Sequence, residues 1–238
     1  MKKLLNLMLA LMLFLPVTGQ TEPLEQLSAR DDFISRIIAL AKQEFDGARG
    51  RALPAASSGD IYVCKNFTTY LFRENRADFR MAEFPDITLR IPDNLPKEES
   101  KPYVYGAAWM DVTPEEGNPF YEAASFRYDS QLSKAENREQ ALAFMREVKR
   151  GDFFQMAANY YYGVGAHSLV FIADYDPVEN EVRWTDSNMK GKKINGTRHG
   201  YIQYDAEKDI GWFVDAFCRK AYGATLYRLR DDIVYANP

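Results

Sequence analysis

A chain of 238 residues, 46% hydrophobic and 14% aromatic, holds enough apolar material for a full core, which sets aside disorder for the chain as a whole. Its length suggests one large domain or two small ones. The formal charge of −4 becomes −6 once Lys2 and Lys3 are lost with the leader described next, so the basic field that nucleic-acid binding needs is lacking.

The first segment reads MKKLLNLMLALMLFLPVTGQTEP, with Lys2 and Lys3, an apolar run from Leu4 to Val17 and small residues near Gly19. This layout predicts a secretory signal over residues 1–19, a mature chain starting near Gln20, and an exported product, periplasmic or extracellular. The run is short for a membrane span, and no later segment approaches ~20 apolar residues, so no stable span is expected once the signal is removed. No cysteine near the cleavage region offers a lipid anchor.

Ser28 followed by Asp31 reads as a helix start, and Ile34, Ile37, Ile38, Ala41 and Phe45 then recur at helical spacing up to Gly47. The small-residue stretch GARGRALPAASSGD, ending at Asp60, predicts a loop. In IYVCKNFTTYLFREN, the residues Cys64, Phe67, Thr68 and Leu71 share one helical face, which puts Cys64 at or near a first helical turn. From Ala77 to Leu132, six prolines (Pro85, Pro92, Pro96, Pro102, Pro114 and Pro119) and the charged run KEES predict an irregular insertion with little helix, relieved by one alternating stretch at Ile87, Leu89 and Ile91.

Ser133 with Glu136 forms a capping box for a helix with Ala141, Leu142, Met145 and Val148 on its apolar face. Arg150, Gly151 and Asp152 then read as a turn into the strand FFQM rather than as an adhesion signal. Residues 167–173 and 181–186 predict an antiparallel hairpin around Pro177 and Asn180. A register pairing Phe171 with Val182 and Leu169 with Trp184 would set His167 opposite Asp186 on one face. GYIQYD predicts another strand, Ile210 to Tyr222 an amphipathic helix carrying Cys218, and ATLYRLR a last strand.

A cysteine at a helix start has its thiolate favoured by backbone N–H groups and the positive end of the helix dipole. A facing histidine can take and return a proton, and a carboxylate beside the histidine fixes its tautomer. Cys64, His167 and Asp186 have these types. Each has a plainer reading too: Cys64 as a disulfide partner of Cys218 or a buried thiol, His167 as a satisfied half-buried histidine, and Asp186 as a turn or capping residue. His199 reads as a loop residue. No zinc spacing, phosphate loop or Gly-x-Ser-x-Gly elbow occurs, so neither a metal nor another cofactor is called for.

The order of pieces resembles the NlpC-type cysteine peptidases, a compact branch of the papain-like fold. IIALAKQEF is similar to that family's opening helix, and Cys64 with Phe67, Tyr70 and Leu71 to its nucleophile helix. KRGDFFQM and GAHSLVFIADYD are similar to its Gly-Asp and His-headed strands, and RWTDSN to the strand carrying its third catalytic residue. The match runs over roughly residues 30–75 and 147–204. The resemblance implies a single α+β domain over residues 20–238, with the nucleophile-bearing helix packed on an antiparallel sheet and the insertion at about 77–132 rimming the cleft. It also implies a cysteine hydrolase acting on amide bonds of bacterial cell-wall stem peptides, with Cys64 as nucleophile, His167 as base and Asp186 as orienting residue. The triplet here is Val63-Cys64-Lys65 where the family usually has Asp-Cys-Ser, which leaves Tyr62 and Ser58 as candidates for contacts to substrate or oxyanion. A peptide- or glycan-binding module that has lost catalysis on the same fold is the alternative.

Overall fold

A computed structural model describes residues 27–49, 51–54, 61–91, 116–156, 167–189, 193–220 and 222–236. The expected signal segment and Ser58 lie outside these residues. The chain has an α+β fold built on antiparallel pairing, with four α-helices among the described residues.

The first helix, α1 (Ala29–Ala48), begins where Ser28 accepts a hydrogen bond from the Asp31 N–H and ends at Arg49 in the left-handed conformation. Such an N-cap is worth roughly 0.5–2 kcal/mol. After β1 (Leu53–Pro54) comes α2 (Cys64–Asn75), which opens on Cys64. The short strands β2 (Phe79–Met81) and β3 (Phe84–Thr88) follow, and then β4 (Phe120–Arg127). The expected capping box is formed at the start of α3 (Lys134–Arg146): Ser133 Oγ accepts from Glu136 N, and the Glu136 carboxylate accepts from Ser133 N. The rest of the chain contributes β5 (Phe153–Met156), β6 (His167–Phe171), β7 (Glu181–Met189), β8 (His199–Asp209), α4 (Ile210–Phe217), β9 (Gly223–Leu229) and β10 (Ile233–Tyr235).

Seven strands form one sheet in the order β1-β8-β7-β6-β5-β9-β4, and β10-β2-β3 form a second. Strand alternation sends successive side chains to opposite faces. Phe153, Val170 and Tyr227 therefore join one core with Phe33, Ile37, Phe67 and Leu71 of α1 and α2. Their neighbours Phe154, Leu169, Phe171 and Leu226 join a second core with Met145 of α3 and Phe213 and Phe217 of α4.

The described parts of the expected insertion, residues 77–91 and 116–132, carry more regular structure than its prolines suggest. Phe120–Arg127, which begins just after Pro119 and contains no proline itself, pairs with β9 along its length as an edge strand of the large sheet. The hairpin register also differs from expectation, since Phe171 pairs with Trp184 and Val170 with Thr185, two residues away from the Phe171–Val182 pairing. The Asp174 side chain accepts from the backbone N–H of Arg150 at 2.8 Å, and Tyr175 N–H donates to Val148 O at 3.1 Å, so the connection between the two strands also packs against the turn after α3. A shift of two residues preserves which side chains share a face, so His167 and Asp186 stay together.

That turn contains Arg150, Gly151 and Asp152. Gly151 has φ +89°, and Asp152 is fully buried, with both carboxylate oxygens receiving hydrogen bonds of 2.8 Å from Arg228. Its role is structural. The expected helix through Tyr222 stops at Phe217, so Cys218 sits just past its end, half-buried, rather than in the core.

Candidate active site

Cys64 occupies the first position of α2, after an extended Val63 that offers the helix no side-chain cap. The preceding turn is held close to the sheet edge. A Cβ on Gly200 of β8 would lie 2.2 Å from the Tyr62 carbonyl oxygen, so only a glycine lets the chain pass there on its way to Cys64. Tyr62 itself is half-buried and packs against the first core.

His167 heads β6 and bridges two partners. Its Nε2 lies 2.7 Å from Asp186 Oδ2, and the ring is hydrogen-bonded to the Cys64 thiol. Because Nε2 is engaged by the carboxylate, Nδ1 is the nitrogen left for the sulfur. Asp186, on β7, is 1% exposed and accepts three further hydrogen bonds: Trp184 Nε1 at 3.2 Å and Asn188 Nδ2 at 3.0 Å on Oδ2, and Gln203 Nε2 at 3.0 Å on Oδ1. A carboxylate held by several donors cannot rotate freely.

The electrostatics follow from these contacts. Burial pushes the Cys64 thiol up, but the hydrogen bond and charge of His167, with the backbone N–H groups of Ser168 and Lys65, outweigh it and leave the thiol below its ordinary value. Burial pulls His167 down, but its bonds to Asp186 and Cys64 outweigh that and push the imidazole up to about 10. The two directions agree: each favours a thiolate beside an imidazolium. Cys218 shows the opposite behaviour, a thiol raised by burial. No disulfide joins the two cysteines.

The structure thus brings Cys64, His167 and Asp186 into one connected chain of contacts. His199 does not join them; its Nδ1 is within 3.1 Å of Thr197 O at the start of β8. Sequence reasoning missed Trp184, Asn188, Gln203 and Gly200. The first two were accessible, because they sit two positions either side of Asp186 on one strand. Gln203 and Gly200 depend on how β8 registers against β7 and on a turn far away in sequence.

Trp184 also carries the site outward, since its ring stacks on that of Trp212 at 5.9 Å, and Trp212 is 53% exposed. Among the described residues no group of three or more His, Cys, Asp or Glu is placed to hold a metal ion, and no helix is long and apolar enough to cross a membrane. No protein-family model, no curated protein and no solved structure matches the chain.

Proposed function

We propose that the protein is an exported cysteine hydrolase that cleaves amide bonds, an NlpC-type member of the papain-like fold, with cell-wall stem peptides as the substrate class its resemblance implies. One observation carries this reading: a single histidine hydrogen-bonded on one side to a helix-opening thiol and on the other, at 2.7 Å, to a buried carboxylate. Such a line of three groups has no use in packing and requires burying charge. It is the arrangement that readies a sulfur for attack.

In this mechanism the Cys64 thiolate attacks the amide carbonyl carbon, and the electron pair of the C=O bond moves to oxygen. The backbone N–H of Cys64, in the first turn of α2, serves as an oxyanion donor. The His167 imidazolium gives its proton to the departing amine as the C–N bond breaks, leaving a thioester on Cys64. A water molecule then loses a proton to His167 and attacks the thioester, which releases the acid and restores the thiolate–imidazolium pair. Asp186 holds the ring in place and balances its charge without itself taking a proton.

The test is hydrolysis of purified cell-wall stem peptides by the chain without residues 1–19, with liquid chromatography of the products and trapping of the acyl-enzyme by mass spectrometry. A covalent adduct on Cys64 that vanishes in Cys64→Ala supports the reading. A protein that releases no product, and binds such peptides as well in the Cys64→Ala variant as in the wild type, would be a binding module instead.

A further inference from the structure

β8 is not a regular strand. It pairs Ala206 with Trp184 but Gln203 with Asp186, so it spends one more residue than β7 between these two pairs. The extra residue falls at Tyr204–Asp205, and Asp205 adopts φ 56°, a left-handed conformation that aspartate tolerates better than most residues. Arg183 holds it there through Nε, which donates to Asp205 Oδ1 at 2.7 Å. The bulge reverses which side chains face which way. Before it, Ile202 points into the first core; after it, Ala206 packs against the second, beside Trp184. Without the extra residue, Tyr204 would stand opposite Asp186. With it, Gln203 does, and its amide reaches Asp186 Oδ1 at 3.0 Å.

We propose that Gln203 is a positioning residue for the His167–Asp186 pair, set in place by the β8 bulge, and that it acts on the thiol through those two side chains without touching substrate. Three donors meet Oδ2, and Gln203 serves Oδ1. A carboxylate gripped at one oxygen can still swing about its Cβ–Cγ bond, and a grip on the second oxygen removes that freedom. Losing the Gln203 amide leaves a buried acceptor short of a donor, and the carboxylate turns to seek another. His167 then loses its fixed partner, and Cys64 the oriented imidazolium. This inference rests on the proposed hydrolase for its purpose, but its observables do not require hydrolysis.

The test uses the mature chain carrying Gln203→Met, which keeps length and volume but cannot donate, with circular dichroism and thermal unfolding to verify the fold. The chain has two histidines, so NMR titration of ring protons follows His167 with His199 as an internal control. In Gln203→Met the His167 midpoint should fall from about 10 toward the ordinary value, with His199 unmoved. Alkylation of Cys64 by iodoacetamide at pH 6 should slow about tenfold for each unit by which the thiol's own midpoint rises. Gln203→Glu covers the case in which Gln203→Met does not fold: its acid form can donate to Oδ1 and its carboxylate cannot. Its alkylation profile should follow the wild type at low pH and depart from it as the new carboxyl ionises. A folded Gln203→Met with an unchanged His167 titration and Cys64 rate overturns the proposal, as does a Gln203→Glu profile that tracks the wild type throughout. If these shifts occur in a protein that hydrolyses nothing, the positioning stands and the hydrolase reading falls. If hydrolysis is robust and the shifts are absent, the reverse holds.

Discussion

Gly200 and Tyr62 approach so closely that a side-chain carbon on the glycine would lie 2.2 Å from the Tyr62 carbonyl oxygen and 2.5 Å from its Cβ. Tyr62 is two residues before Cys64, so a loop-side residue of β8 determines where the nucleophile helix begins. The obstructing atoms are mostly backbone and cannot rotate away. Gly200→Ala should therefore push the Tyr62–Cys64 segment off the sheet edge. The expected cost is roughly 1–3 kcal/mol in urea unfolding, together with slower alkylation of Cys64 at pH 6. An alanine variant with wild-type stability and wild-type Cys64 reactivity would show that the segment is not seated by this contact.

A second expectation concerns the ion pair under the turn after α3. Asp152 is fully buried, and burial pushes its carboxyl up against the opposing pull of Arg228. Replacing Arg228 with methionine strands a buried charge and should cost about 3–5 kcal/mol at pH 7. Because the stranded carboxyl binds its proton more tightly in the folded chain than in the unfolded one, the loss should shrink as pH falls through the raised folded value toward the unfolded one of roughly 3.9, and level off below it. The double change Arg228→Met with Asp152→Asn should recover part of the stability at pH 7, measured by the same unfolding curves. No recovery would mean that packing of the arginine stem, not charge, dominates.

The positions of α1, α2 and α3 were legible in the chain because their signals are local: Ser28 and Ser133 cap helices whose apolar residues recur at helical spacing. The shared face of His167 and Asp186 was legible for a similar reason, since strand alternation survives a register error of two residues. The two-residue difference accompanies contacts that no hairpin rule contains, those of Asp174 and Tyr175 in the connection with the backbone of Arg150 and Val148. β4 was hidden for a different reason. Its sequence FYEAASFR alternates poorly, and it is held by pairing with β9, which lies about a hundred residues further along the chain. Gln203 was the least visible of all, because its place beside Asp186 depends on one extra residue in β8.

The roles of Asp186 and His167 can be separated. In Asp186→Asn the amide oxygen can keep the Oδ2 position, facing His167, Trp184 and Asn188, while its NH2 turns toward Gln203, whose own amide can flip to accept. The geometry survives and the charge is lost. His167→Ala removes the proton carrier itself and should lower kcat by about 100- to 10,000-fold. Asp186→Asn should lose less than that, and its His167 midpoint should move below the wild-type value in an NMR titration. Equal losses in the two variants would indicate that the negative charge of Asp186 is as decisive as the proton carrier itself.

The last prediction follows from the opposite shifts of Cys64 and His167, the thiol lowered and the imidazole raised to about 10. Between those two values both groups are charged, so Cys64 alkylation by iodoacetamide should level off at a lower pH than that of a free thiol, which has a midpoint of about 8.5 and gains about tenfold per unit below it. Cys218, raised by burial, should show that ordinary climb. His167→Ala should convert the Cys64 profile to the same climb and leave Cys218 unchanged. Stability should carry the same signature. The contribution of the raised His167 is fully present below its unfolded value of roughly 6.5 and is lost as pH rises through about 10. That of the lowered thiol is present above its unfolded value and lost as pH falls through its folded one. The stability difference between wild type and His167→Ala, read from unfolding at a series of pH values, should therefore narrow as pH rises toward about 10 and stay small above it. A Cys64 that reacts at pH 6 no faster than a model thiol, with or without His167, would mean that no ion pair forms, and the reading as a binding module would replace that of a hydrolase.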